Sequence, residues 1–184
     1  MAKIPYKKPP KKVVAYAVLA ALLGSGVAAN YAINTTADFE GYVPEGYVDP
    51  VGIPTKCWGD TRNVIVGHEY SFEECSRSLN EHMVELVRPL TKCIRDFTDL
   101  PDKTKAAIAS MTYNIGSGAM CKSSIVKKLN AGDLEGACKR MKEIYKYARD
   151  RRTNEKVELR GLRIRRNYEG DMCLQGLKER QSGG

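Results

Sequence analysis

Histidine and tryptophan are scarce in this chain of 184 residues, which has two histidines and one tryptophan. His68 and His82 are isolated from other metal-ligating residues, and no Cys-x-x-Cys or cysteine–histidine spacing of the kind that holds zinc occurs. The sequence therefore predicts no metal site, no cofactor and no nucleophile activated by histidine. We expect both histidines to occupy surface or helix-cap positions.

No cysteine occurs before residue 57, whereas the rest of the chain carries six. An even number of cysteines without metal-binding spacing is typical of three disulfides formed in an oxidising compartment. The alternative is that one thiol stays free and buried. Thiol exchange that starts from the first 56 residues is excluded, because that segment has no cysteine.

Charge is missing from residues 13–37, a run whose 25 residues match the length of about 20 that a helix needs to cross a bilayer. Basic residues beside a span stay cytoplasmic. We therefore expect a cytoplasmic arm over residues 1–12, a membrane segment over 13–37 and a periplasmic body. The segment is a weak anchor, because residues 13–29 contain three leucines and nine small residues, which favours release without cleavage. Permanent anchorage, a cleavable signal peptide ending at residues 27–29 and an amphipathic core helix are the alternatives.

The net charge of +8 is unevenly distributed. Five lysines of the arm contribute +5, and residues 139–166 contain twelve Lys or Arg against four acids, so the remaining body is acidic. The charge therefore does not predict nucleic-acid binding. The second basic run is either a solvated helix face or a surface attracted to an anionic polymer such as the cell wall.

The body has no internal repeat, and it is predicted to form one α+β domain over residues 38–177 with a flexible tail over 178–184. Residues 30–40 are predicted to be helical, with Gly41 as the stop. Six Pro or Gly residues within 42–60 predict short strands and tight turns. Further helices are predicted over residues 71–90, 101–113, 123–130, 134–149 and 161–177. This pattern indicates a small lobe with a β-hairpin, a larger all-helical lobe and a cleft between them.

Glu40 and Asp49 are candidates for a pair of catalytic carboxylates. Hydrolysis of a glycosidic bond needs a proton donor at the leaving oxygen and a second carboxylate on the other face of the sugar. Glu40 would lie in the last turn of its helix, where the macrodipole favours a carboxyl group that keeps its proton. Asp49 would lie on the hairpin, with Thr55 near enough to hold a water. These positions alone are weak evidence in a chain with 22 acids.

The spacing of these three residues, in its sequence context, resembles the catalytic signature of phage-type lysozymes, also called endolysins. The context is FEG at 39–41, YVDPVGIPT at 47–55 and WGDT at 58–61. Segments similar to later family motifs are MTYNIGSG at 111–118, KLNAGD at 128–133, and Gly161-Leu162 with Arg165, Arg166 and Glu169. The lysine-flanked, Gly/Ala-rich first helix resembles the signal-anchor-release branch of the family. The charged segment 145–152 departs from relatives that carry a Gly-Gly loop and Trp there.

The resemblance implies a mechanism in which Glu40 is the general acid, Asp49 orients or deprotonates the attacking water, and Thr55 positions that water. It implies a lysozyme-like fold and inverting cleavage between N-acetylmuramic acid and N-acetylglucosamine, with carboxyl groups about 6.5–9.5 Å apart. Tyr47, Trp58 and Asn114 are candidate sugar contacts, although Trp58 and Asn114 have packing and hydrogen-bonding alternatives. Resemblance and order imply three disulfides: Cys57–Cys75, Cys93–Cys121 and Cys138–Cys173.

The expected partners are peptidoglycan, the bacterial inner membrane through residues 13–37, and a phage holin or pinholin. We expect a monomer that is held at the inner membrane and then released into the periplasm on depolarisation, with part of the released segment packing on the catalytic lobe. Three other functions are open: a membrane-anchored peptidoglycan-binding module without activity, a lytic transglycosylase, and a membrane-disrupting lysis protein that acts through residues 1–37.

Overall fold

The computed structural model of this chain describes residues 4, 6–149 and 153–182. Within these residues lie nine α-helices, a 3₁₀ helix at Phe97–Asp99 and two antiparallel hairpins. The helices are α1 Ala17–Leu23, α2 Gly26–Glu40, α3 Phe72–Val87, α4 Leu90–Cys93, α5 Asp102–Ile115, α6 Ser117–Lys122, α7 Ser124–Asn130, α8 Leu134–Met141 and α9 Arg160–Ser182. The strands are β1 Val43–Val48, β2 Pro54–Cys57, β3 Tyr147–Arg149 and β4 Lys156–Glu158. The predicted α+β fold is confirmed.

The segment expected to span a membrane as one helix forms two helices separated by a sharp bend. Gly24 ends α1 in a left-handed conformation with φ 68°, and the Ser25 side chain caps the start of α2. Among the described residues, no single helix is long and apolar enough to span a bilayer, and α1 and α2 reach that length only together, bent by 108°. Leu19, Leu23 and Ile33 are fully buried in the protein core. In this structure the segment therefore forms two helices packed in the core, and a single membrane-spanning helix stays an expectation for the tethered state.

The hairpin of the small lobe is formed by β1 and β2, where the sequence predicts short strands and turns. Tyr47 pairs with Thr55, and Val48 pairs with Pro54. Gly46 lies against the Ile65 carbonyl so closely that a Cβ at this position would overlap the oxygen. The loop that includes Ile65 therefore packs directly against β1 and is hydrogen-bonded to it at Gly46.

The large lobe is built around α5, in which residues 104–112 are all buried. α2 and α9 pack against it. α3 begins with the predicted capping box, because the Ser71 hydroxyl accepts from the Glu74 N–H at 3.2 Å and the Glu74 carboxylate accepts from the Ser71 N–H at 2.8 Å. Because α2 packs on α5, the helix that carries Glu40 is held against the centre of the core.

The predicted helix over residues 134–149 is wrong beyond Met141, where α8 ends. Tyr145 has a left-handed backbone with φ 56°, and residues 147–149 pair with β4 instead. A charged segment without apolar spacing has no face to bury as a helix, whereas tyrosine and valine favour strands. Residues 150–152 of the charged segment lie outside the described residues, as do 183–184 of the expected tail. Within the described part of that tail, α9 continues to Ser182.

Three disulfides join Cys57 to Cys75, Cys93 to Cys121 and Cys138 to Cys173. These are the pairs implied by the resemblance, and none of the six cysteines is free. The first ties β2 to α3, and the third ties α8 to α9. Such cross-links stabilise a fold mainly by restricting the unfolded chain.

Candidate active site

Glu40 is the last residue of α2, and the chain turns at Gly41 directly into the hairpin. Gly41 has φ 75°, a conformation that glycine adopts readily. The Glu40 side chain is 21% exposed, and its Oε1 accepts a hydrogen bond from Arg165 Nη1 at 2.6 Å. Its other oxygen, Oε2, faces Gly59, where a Cβ would lie 3.7 Å away. The carboxyl group is therefore fixed at the boundary between the helical lobe and the hairpin.

Arg165 is held by a buried network in the large lobe. Its Nε donates to Glu169 Oε1 at 3.0 Å, and its Nη2 donates to the Ser110 carbonyl at 3.0 Å. Glu169 is fully buried and accepts two more bonds, from Arg166 Nη1 at 2.6 Å and from the Ser110 hydroxyl at 2.8 Å. Charged hydrogen bonds on planar guanidinium groups fix direction as well as position. The network orients Arg165 toward Glu40.

Asp49 stabilises the tip of the hairpin. Its Oδ1 accepts from the backbone N–H groups of Val51 at 2.9 Å and Ile53 at 2.8 Å. Among the described residues no donor contacts Oδ2. Thr55 is 5% exposed, and its hydroxyl donates to the Ile53 carbonyl at 3.0 Å. One oxygen of Asp49 therefore has a structural task, and the other is open to a ligand.

Tyr47 lies near both predicted catalytic carboxylates. Burial raises the pKa of its phenol above the ordinary value, and Tyr6, Asp49 and Glu40 raise it further, because they disfavour the phenolate. Tyr47 is half-buried and pairs with Thr55 across the hairpin. Thr55 is therefore the strand neighbour of Tyr47, and the charges of Glu40 and Asp49 both act on its phenol.

Trp58 and Asn114 differ from Tyr47, the third predicted sugar contact. Trp58 is 1% exposed and packs on the rings of Tyr42 and Phe72, with centroids 4.8 and 5.9 Å away, so its role here is packing rather than sugar stacking. Asn114 accepts a short hydrogen bond from Arg166. This bond joins Asn114 to the network behind Glu40 and agrees with its hydrogen-bonding alternative.

The two histidines do not form a reactive site. His68 is exposed and lies beside the Tyr70 ring. His82 is half-buried against the Tyr113 ring at 4.7 Å, so its expected surface or cap position is wrong. Burial lowers the pKa of His82, and the positive charge of Arg62 lowers it further. In the described part of the chain, no group of three or more His, Cys, Asp or Glu side chains is placed to hold a metal.

Arg165 is the residue whose role the sequence analysis missed. In the sequence it is part of a segment similar to the C-terminal family motif, and that motif does not predict its contact with Glu40. The available signal was the charge pattern of α9, because Glu169 lies one helical turn after Arg165 and Arg166, and such pairs interact on a helix. Their burial could not be predicted, because it depends on α9 packing against α5.

A helical lobe and a hairpin lobe joined at a glutamate that ends a helix define the lysozyme-like class of fold. The family profile described as phage lysozyme matches residues 37–169, and the chain belongs to this family. It is therefore a glycoside hydrolase of the lysozyme type, as the resemblance predicts.

The similar proteins include endolysins of several phages. The chain is 32% identical over 164 residues to the SAR-endolysin of Bacteriophage PS119, covering 86% of this chain and 93% of that one. It is 31% identical over 166 residues to the SAR-endolysin of Enterobacteria phage PA-2, covering 86% and 94%. Among solved structures, the endolysin from Escherichia coli O157:H7 phage FAHEc1 has a TM-score of 0.70 at 30% identity, covering 78% of this chain and 90% of that one.

Proposed function

We propose that this chain is a phage endolysin that hydrolyses the β-1,4 bond between N-acetylmuramic acid and N-acetylglucosamine, with Glu40 as the acid. The observation that carries the proposal is the Glu40 carboxyl group, which Arg165 fixes at the lobe boundary. Asp49 lies on the hairpin, and its charge and that of Glu40 both act on the Tyr47 phenol. Inverting glycosidases need one carboxyl group on each side of the scissile bond. Glu40 and Asp49 come from the two lobes, which is the arrangement that such a reaction requires.

The proposed reaction assigns one oxygen of each carboxyl group to chemistry. Arg165 occupies Glu40 Oε1, so Oε2 is the oxygen that transfers a proton to the leaving glycosidic oxygen. Asp49 Oδ1 holds the hairpin tip, so Oδ2 orients or deprotonates the attacking water, which Thr55 positions. As the carbon–oxygen bond breaks, water adds from the opposite face, and the anomeric centre is inverted.

Glu40→Gln tests the assignment, because the amide keeps the shape of the side chain and cannot donate an acid proton. We expect muralytic activity on purified sacculi to fall by about 10²–10⁴-fold, the usual contribution of a general acid. Asp38→Asn is the matched control: Asp38 lies on the same helix and is exposed. Its activity should stay within twofold of the natural chain. An active Glu40→Gln would favour a different acid, or a binding module in which Glu40 has no chemical role.

We also propose that the enzyme is first tethered to the inner membrane through residues 13–37 and is released, uncleaved, as a periplasmic monomer. Leu19, Leu23 and Ile33 are part of the core, so the lobe cannot have this packing while the segment is in the bilayer. The relatives named SAR-endolysin support the same view. The tethered enzyme would therefore lack the core packing that holds the helix carrying Glu40.

The membrane potential opposes release, because the lysines of the arm must cross against it. Each charge costs about 2.3 kcal/mol per 100 mV, so five lysines amount to about 12 kcal/mol at 100 mV. A holin or pinholin that collapses the potential removes this cost. The test is the fraction of uncleaved chain in the periplasmic extract before and after an uncoupler. Release should follow depolarisation, and a chain that stays on the membrane afterwards would contradict the proposal.

A further inference from the structure

Residues 6–12 of the N-terminal arm lie along the body next to the hairpin of β1 and β2. The Lys7 N–H donates to the Tyr42 carbonyl at 2.8 Å, and the two residues form an antiparallel bridge at the start of β1. Further along, the Lys11 ammonium pairs with Glu73 on α3 at 3.2 Å. The arm also faces Trp58 across a cavity of about 330 Å³. The end of the chain expected to be cytoplasmic before release thus lies beside the hairpin.

Three asparagines hold the chain just after the arm. The backbone N–H groups of residues 13, 15 and 16 donate to the side-chain oxygens of Asn34, Asn30 and Asn80, respectively, at 2.8 to 3.1 Å. Asn34 and Asn80 also donate back to carbonyls of the same segment, at 2.9 and 3.1 Å. These amides satisfy an extended backbone as a neighbouring strand would. They hold the segment between the arm and α1 in a fixed direction, so that the arm lies toward the hairpin.

Tyr6 is the arm residue that reaches the active site. Its ring packs on Gly41, the residue after Glu40, so closely that a Cβ at Gly41 would overlap the ring. It also contributes to the raised pKa of the Tyr47 phenol, more than Asp49 or Glu40 does. The Tyr6 side chain nevertheless stays 58% exposed. One part of the ring is fixed against the backbone at the residue after Glu40, and more than half of the side chain is open to solvent.

We infer that Tyr6 forms a wall of the sugar-binding cleft beside Glu40 and contacts a sugar ring of the glycan strand. An anchored aromatic ring with an open face suits the apolar face of a pyranose, and its hydroxyl suits the polar rim. The inference rests on the proposed function. It also implies a condition for activity: the cleft is complete only when the arm itself has crossed the membrane.

Binding of a soluble β-1,4-linked N-acetylglucosamine oligomer tests this inference without catalysis. The Glu40→Gln protein is titrated by calorimetry, alone and combined with a substitution at Tyr6. Tyr6→Ala should weaken binding about fivefold, and Tyr6→Phe should stay within twofold, because the ring remains. Lys8→Ala is the control from the same arm, since Lys8 is exposed, and it should bind as before. In the active enzyme, Tyr6→Ala should raise KM by a similar factor and leave kcat nearly unchanged.

Trp58 reports whether the arm stays in place, because it is the single tryptophan and faces the arm. If Tyr6→Ala shifts the fluorescence emission of Trp58, the arm has moved, and Tyr6→Leu is titrated in place of Tyr6→Ala. Leucine keeps an apolar contact with Gly41 and lacks the aromatic face. Leucine should then bind as weakly as alanine. Unchanged binding in Tyr6→Ala or Tyr6→Leu would overturn the inference, and tighter binding would make the arm a cover of the cleft. An active Glu40→Gln would refute the proposed acid and leave the binding result for Tyr6 valid.

Discussion

Asn80→Ala is expected to loosen the N-terminal segment from the catalytic lobe. Asn80 is fully buried on α3, where its Oδ1 accepts from the Tyr16 N–H at 2.8 Å and its Nδ2 donates to the Val14 carbonyl at 3.1 Å. Alanine removes both bonds and keeps the helix. The segment that leads into α1 then loses its link to α3.

The size of the effect follows from the two backbone groups left without partners. An unsatisfied buried group costs about 1–3 kcal/mol. Val14 and Tyr16 are 73% and 42% exposed, so water reaches part of this backbone and the lower end applies. The free energy of unfolding should therefore fall by about 2 kcal/mol. For a protein of this size, that corresponds to a drop in Tm of about 4–8 °C.

Two measurements on the released protein check this prediction: thermal unfolding by circular dichroism, and the rate of tryptic cleavage after Lys11 and Lys12. Asn130→Ala is the matched control, because Asn130 makes the same pair of bonds with Arg95 N–H at 2.8 Å and the Cys93 carbonyl at 2.9 Å. Both variants should lose stability, but only Asn80→Ala should be cut faster in the arm. A Tm within 1 °C of the natural chain, with unchanged cleavage, would refute the reasoning.

Three further predictions concern the network, acid stability and the released segment. Arg165→Lys keeps the charge but cannot contact Glu40, Glu169 and the Ser110 carbonyl together, so kcat should fall at least tenfold in a sacculus assay while KM changes little. Burial raises the pKa of Asp60, but hydrogen bonds from Ser78 and Arg62 outweigh it and hold this pKa below its usual range. The stability contributed by Asp60 is thus present above the unfolded pKa of about 3.9 and lost as pH falls below it, so denaturant titrations should show a weaker acid dependence in Asp60→Asn. A chain that begins at Thr36 lacks part of the core and should be unfolded by circular dichroism and inactive; equal activity would mean that residues 13–35 do not complete the fold.

The parts of the fold that sequence predicts well are those with local causes. The capping box at Ser71, the stop at Gly41 and the hairpin with its Pro and Gly residues depend on backbone chemistry that neighbouring residues determine. The end of α2 at Glu40 follows from the same rules. The position of the candidate acid was therefore accessible before any tertiary contact was known.

The N-terminal segment shows where local reasoning ends. An uncharged, Ala- and Gly-rich segment is compatible with a bilayer and with a protein core, and its surroundings decide between them. Gly24 and Ser25 contain the signal for the bend, because they terminate one helix and begin the next. The contacts of Arg165 with Glu40 and of Tyr6 with Gly41 join residues far apart in sequence, so they required the packed structure.

The products released from purified sacculi show whether the enzyme adds water to the glycosidic bond and whether Glu40 is its acid. Mass spectrometry distinguishes a reducing N-acetylmuramic acid end, formed when water adds, from an anhydro end that is lighter by one water. We expect reducing muramic acid ends from the released natural chain and almost no product from Glu40→Gln. Anhydro ends would identify a transglycosylase, and abundant product from Glu40→Gln would contradict the assignment of the acid.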